Sequence, residues 1–141
     1  MLRPEEGIMP DAAGREAFLA NNRFCVLGTL RKDGRARLSP MAYMYEDGTI
    51  FISTTRTRGG GRTAKADPRV TICVINLEDR REYLTVYGRA EVYEDEAMTV
   101  RMFEMFRRRK LEGAELEAAR EEIRRDGRVI LRITPEEFYP K

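Results

Sequence analysis

The sequence predicts a mainly β (α+β) fold, a barrel of six antiparallel strands with peripheral helices. Three features predict it. The stretch from Phe24 to Thr63 alternates apolar segments with the turns Asp33-Gly34 and Asp47-Gly48, and Asp-Gly between such segments is a strong local hairpin signal. Tyr83 to Tyr93 repeats with period two, placing Leu84, Val86, Gly88, Ala90 and Val92 on one face and Tyr83, Thr85, Tyr87, Arg89, Glu91 and Tyr93 on the other. From Glu94 to Arg125 the pattern is helical, and Arg128 to Thr134 returns as a last strand. At 141 residues the chain is expected to form a single domain over 1–141, large enough for its own core without a disulfide or structural metal.

Each element has a local reason. AAGREAFLANN after Pro10-Asp11 predicts a short helix ended by Asn21-Asn22, with Ala13, Ala17, Phe18 and Leu19 turned to one end of the sheet. Phe24 to Arg31 is apolar on both faces, as for a strand covered on its outer side by a second sheet or subunit. Asp33-Gly34 then predicts a two-residue hairpin turn into a second strand, Arg35 to Tyr45. Pro40 interrupts that strand; because proline has no N–H for a ladder, the strand lies at an edge, bulges, or bends at Ser39-Pro40-Met41. A bend there either frees backbone groups for a ligand or only closes the barrel.

Asp47-Gly48 predicts a second hairpin into Thr49 to Thr55, with Phe51, Ser53 and Thr55 on one face and Ile50, Ile52 and Thr54 on the other. Thr63 to Asp67 allows one helical turn before Pro68, and Arg69 to Leu77 reads as a near-continuous apolar strand ended by the charged segment Glu78 to Glu82. Acidic Glu94, Asp95 and Glu96 open a helix closed by Arg107 to Lys110, an arrangement that favours the helix dipole. After Gly113 a second helix runs to Arg125, with Glu121 and Arg125 spaced as an i,i+4 pair, and Asp126-Gly127 ends it. The segment PEEFYPK follows the last strand as a tail.

Composition narrows the chemistry. Net charge is +2, from 26 basic and 24 acidic residues interspersed along the chain, which does not point to nucleic acid. No apolar run approaches the roughly 18 residues of a membrane span, and the first residues lack a secretory apolar segment, so a cytoplasmic protein is expected. Cys25 and Cys73 lie far apart in apolar runs, as buried thiols of a reducing compartment would. There is no histidine, which excludes imidazole-based triads and histidine-ligated zinc or haem; no metal site is expected. A redox role would therefore rest on a cofactor. After the hydroxyls of Ser53, Thr54 and Thr55 come Arg56, Arg58 and Arg62 around Gly59-Gly60-Gly61. Hydroxyls, guanidinium forks and glycine amides are phosphate-holding groups, though the same residues also suit a solvated basic loop. The tyrosine-bearing face of Tyr83 to Tyr93 suits a dimer surface or ordinary strand decoration.

Read together, TLRKDGRARLSPMAYMYEDGTIFISTTRTRGGGRTAKADPRV resembles the pyridoxamine-phosphate-oxidase-like split β-barrel family, and most closely its deazaflavin (coenzyme F420)-dependent oxidoreductase branch. The likeness runs from Asp11 to about Thr134. It implies a homodimer with the cofactor at the subunit interface and hydride transfer to a planar small-molecule acceptor, with FMN as the alternative cofactor. It also admits a non-catalytic flavin- or tetrapyrrole-binding module of the same fold. By the same resemblance Ser39, Pro40, Met41 and Ala42 lie against the flavin-like ring, Ser53, Thr54, Thr55, Arg58 and Arg62 hold the phosphate end, and Asn76 sits near the ring. Gly60 stands where many relatives carry lysine. No residue is singled out as proton donor.

Overall fold

The computed structural model of the chain describes residues 12–58 and 60–140. Its elements are α1 (Ala12–Asn21), β1 (Phe24–Leu30), β2 (Ala36–Ala42), β3 (Met44–Glu46), β4 (Thr49–Thr55), α2 (Gly61–Ala66), β5 (Arg69–Ile75), β6 (Tyr83–Tyr93), α3 (Glu96–Arg107), α4 (Gly113–Asp126) and β7 (Arg128–Tyr139). The strands form one curled antiparallel sheet in the order β2-β1-β5-β6-β7-β4-β3.

The mainly β architecture is as expected, but the sheet has seven strands rather than six. The predicted strand Arg35 to Tyr45 is two strands, and the break falls at Tyr43, not at Pro40. Pro40 stays in register opposite Val26, tolerated because β2 is an edge strand with no second neighbour awaiting its N–H. At Tyr43 the chain leaves one edge of the sheet and starts the other, so a single residue closes the barrel. The corner is pinned: the Tyr43 N–H donates to the Arg23 carbonyl at 2.9 Å, and its fully buried phenol donates to the Leu19 carbonyl at 2.7 Å. Burial raises the pKa of that phenol above its ordinary value.

The two Asp-Gly turns differ. Asp47 and Gly48 both adopt positive φ (50° and 76°) between the pair Glu46 and Thr49, the two-residue turn expected. The first turn is instead a three-residue loop, Lys32-Asp33-Gly34: Gly34 has φ 86°, the Gly34 N–H donates to the Arg31 carbonyl, and the Arg31 N–H donates to the Arg35 carbonyl. The extra residue sets the register Leu30 to Ala36 and Thr29 to Arg37, which turns Arg37, Ser39 and Met41 to the face of Thr29, Leu27 and Cys25.

The core lies inside the curl, built from Leu27, Ile50, Ile52, Ile72, Val74, Leu84, Val86, Leu131 and Ile133. α2 closes one mouth with Ala64, and α1 closes the other with Leu19 while its Ala13 and Ala17 stay exposed. On the outer side of β3, β4 and β7, Met102 of α3 packs on Met44, Phe51 and Ile130. Leu111, Ala119 and Ile123 then pack α4 against Phe103. Asp95 caps α3, accepting from the Met98 N–H at 2.9 Å. The expected Glu121 to Arg125 pair does not form; Arg125 meets Asp126, and Arg120 and Arg124 meet Glu96 of α3. β7 also runs past the predicted Thr134 to Tyr139, because a bulge at Tyr87/Gly88 lets the tail continue pairing with β6.

Candidate functional site

β2 and β4 approach each other across the gap where the barrel is split. β3 pairs only with Thr49 to Phe51, so the rest of β4, from Ile52 to Thr55, borders the seam with that backbone edge unpaired. Residues 39–42 thus form one lip and residues 53–55 the other, with the loop after Thr55 at one end.

Along β2 the predicted residues alternate. Ser39 and Met41 face inward, opposite Leu27 and Cys25, and are half-buried, whereas Pro40 and Ala42 face outward, opposite Val26 and Phe24, and are exposed. On the other lip, Thr54 lies on the barrel side, its hydroxyl donating to the Arg58 carbonyl at 2.9 Å, and the Thr55 hydroxyl accepts from the Arg58 N–H at 3.1 Å. Both threonine hydroxyls therefore shape the loop. Ser53 points to the opposite side of β4, toward the helical layer with Phe51, and its buried Oγ has no hydrogen-bond partner among the described residues. Asn76 lies at the far end of β5, where its Nδ2 donates to Glu82 Oε1 at 2.9 Å and its Oδ1 accepts from the Glu78 N–H at 3.0 Å. Its amide is thus occupied in holding the β5–β6 turn.

The loop is fixed by α2. Gly60 has φ 86°, and a Cβ on it would lie 2.9 Å from Leu27 Cδ2 and 3.3 Å from Thr29 Cγ2; a Cβ on Gly61 would collide with the Thr55 carbonyl. The absence of a lysine at position 60 is thus dictated by space as well as by backbone conformation. Thr63 ties α2 to β1 through a 2.6 Å hydroxyl contact with Thr29.

Charge is left open at this end of the seam. Most described arginines meet a carboxylate: Arg31 and Arg35 meet Asp33, Arg69 meets Asp67, Arg81 meets Asp79, and Arg56 of the loop itself meets Glu94. Arg58 and Arg62 have no carboxylate partner among the described residues, nor does Arg37. Arg37 is set on the same side of the sheet as α2, because its cross-strand partner is Thr29, the residue bonded to Thr63 of α2. The sequence reading missed Arg37. Its signal lay in the hairpin, but a two-residue turn would have paired it with Leu30 on the wrong face.

Outside the curl, Leu38, Val26, Phe24, Ile75 and Tyr87 share one face, with Leu38 68% exposed. Beyond its end, a depression of about 890 Å³ is lined by residues that include Phe24, Asn76, Arg23 and Arg108. The Cys25 thiol points into the core, where burial pushes it up to about 12, and Cys73 lies on the outer face, also raised by burial; neither is in a disulfide. Among the described residues, no group of three or more carboxylate or thiol ligands is placed to hold a metal ion, and no helix is long and apolar enough to cross a membrane.

Comparison with known proteins adds family and fold. Residues 14–141 match the family model described as pyridoxamine 5'-phosphate oxidase. No curated protein matches the sequence. A solved structure named F420 reductase superposes with TM-score 0.68 at 24% identity, covering 89% of this chain and 96% of that one. A conserved hypothetical protein from Mycobacterium tuberculosis gives TM-score 0.75 at 22% identity, covering 97% and 88%. The haem storage protein HutZ from Vibrio cholerae gives 0.65 at 16%, covering 98% and 94%. At these identities each is a likeness of fold.

Proposed function

The chain belongs to the pyridoxamine 5'-phosphate oxidase family, and from that premise we propose that it is an oxidoreductase that uses the deazaflavin F420 for hydride transfer to a planar small-molecule acceptor. The observation that carries the reading is the cluster of Arg37, Arg58 and Arg62, three guanidinium groups without carboxylate partners at the open end of the seam. Guanidinium forks match phosphate geometry, and leaving three of them unneutralised is the arrangement an anionic ligand requires.

The donor set fits such a cofactor. Arg37, Arg58 and Arg62 would hold its phosphate end, and the edge of β2 from Ser39 to Ala42 would lie beside its ring. When bound, the deazaflavin supplies the hydride chemistry. The chain's own part is to fix the cofactor's position and exclude water from one side, the two contributions a rigid strand edge makes best. The exposed apolar face around Leu38 supports a homodimer that encloses the cofactor between subunits. The fold likeness to the F420 reductase supports the deazaflavin. One observation favours FMN as the second reading: position 60 supplies no cation and has no room for one.

The test is equilibrium titration of the purified protein with F420 and with FMN side by side. Tight F420 binding is expected, and Arg58→Ala should weaken it by about 1.5–3 kcal/mol, the range of a hydrogen bond to a charged group. Preference for FMN would move the assignment to the flavin, and binding of neither would overturn it. Consumption of the reduced coenzyme with an acceptor separates an enzyme from a binding module.

A further inference from the structure

The depression at the other end of the seam holds a second set of arginines without carboxylate partners. It is bounded by the end of α1, the end of α3 and the β5–β6 turn, and its volume is about 890 Å³. Phe18, Phe24 and Leu77 give it apolar walls. Arg23 and Arg108 also line it, and neither has a carboxylate partner among the described residues. Two carboxylates line it as well without meeting the arginines: Glu82 is held by the Asn76 amide at 2.9 Å, and Glu78 lies exposed on the rim.

Arg108 is placed there by an uncommon backbone. It ends α3 in the left-handed conformation, φ 56° and ψ 39°, with its N–H donating to the Glu104 carbonyl. Glycine is the usual residue at such a helix end, and any residue with a Cβ is disfavoured there. A side chain kept in a costly conformation, in a depression, with its charge unneutralised, is the kind of outlier that marks a binding position.

The depression also adjoins the ring end of the seam. Phe24, one of its walls, is the cross-strand partner of Ala42, the last residue of β2. We infer that this depression binds a flat, conjugated ligand bearing a carboxylate, its body against Phe18 and Phe24 and its charge between Arg23 and Arg108. The identification of that ligand as the acceptor rests on the cofactor reading above; the site itself does not.

The experiment uses the full chain without cofactor and two probes of the same shape, 2-naphthoate and its neutral amide, 2-naphthamide, titrated calorimetrically. Naphthoate is expected to bind at least about tenfold more tightly, the equivalent of one charge-assisted contact. Arg23→Gln and Arg108→Gln should each weaken naphthoate and leave naphthamide unchanged. Arg108→Gly should raise the melting temperature, because it relieves the left-handed backbone, while lowering naphthoate affinity. Equal binding of the two probes, or undiminished naphthoate binding in the double glutamine variant, would overturn the inference. The same variants should keep F420 or FMN binding, whereas Arg58→Ala should weaken it and keep naphthoate. Naphthoate binding by a protein that takes neither cofactor would support the site and withdraw only its link to the acceptor.

Discussion

Gly60 shows how one position can fix what a site is made of. Its φ of 86° and its distance from Leu27 and Thr29 leave no place for a side chain, so the seam's positive charge comes from Arg37, Arg58 and Arg62. Gly60→Lys should therefore lower the melting temperature and fail to strengthen cofactor binding, readable by thermal melts and titration on one sample. Tyr43 fixes the closure. Tyr43→Phe leaves the Leu19 carbonyl without its donor inside the core and should cost about 1–3 kcal/mol in a denaturant titration. Cys25, inside the barrel with its thiol pushed up to about 12, should resist alkylation at neutral pH until the chain unfolds.

At the scale of elements, the first turn decides the site. Side chains alternate along a strand, so a one-residue slip that paired Lys32 with Arg35 around a two-residue Asp33-Gly34 turn would move Arg37, Ser39 and Met41 to the outer face and bring Leu38 and Pro40 inward. Deleting Ala36, which keeps the turn but puts Arg37 opposite Leu30, is expected to abolish cofactor binding while circular dichroism still reports a folded sheet. This is also where the sequence stopped being readable. β1, β4, β6, α3 and the second turn were legible because alternation, caps and Asp-Gly punctuation are local signals. The length of the first turn was not, since Lys-Asp-Gly-Arg suits both a two-residue and a three-residue loop, and only packing against β1 chooses. Of the edge, bulge or bend that Pro40 allowed, the edge is what the sheet shows, since an edge strand asks no donor of proline; the break at Tyr43 depends on a partner carbonyl in α1 that no local pattern announces.

For the whole molecule, three Asp-x-Arg clips recur at turns: Asp33 with Arg35, Asp67 with Arg69 and Asp79 with Arg81, each carboxylate accepting from both the backbone N–H and the guanidinium. These hydrogen bonds hold all three carboxyls below their ordinary value of 3.8, Asp67 at about 2. Because the folded values are lower than the unfolded ones, the clips contribute stability above about pH 4 that is lost as pH falls toward 2. Thermal melts should decline over that window, and Asp67→Asn should flatten the decline. All three clips are solvent-exposed, so the effect is salt-sensitive.

The corner at Tyr43 gives the barrel leverage. β2 is paired with β1 along its whole length, so the two move together; from Tyr43 back to Arg37 this ribbon is an arm of about 20 Å at roughly 3.3 Å per residue, and a swing of about 5° at the corner moves Arg37 by about 2 Å. Substitutions around Leu19 and Arg23, remote from any phosphate, would then set how wide the arginines stand apart, and the grip on an anion could be tuned from the opposite end of the molecule.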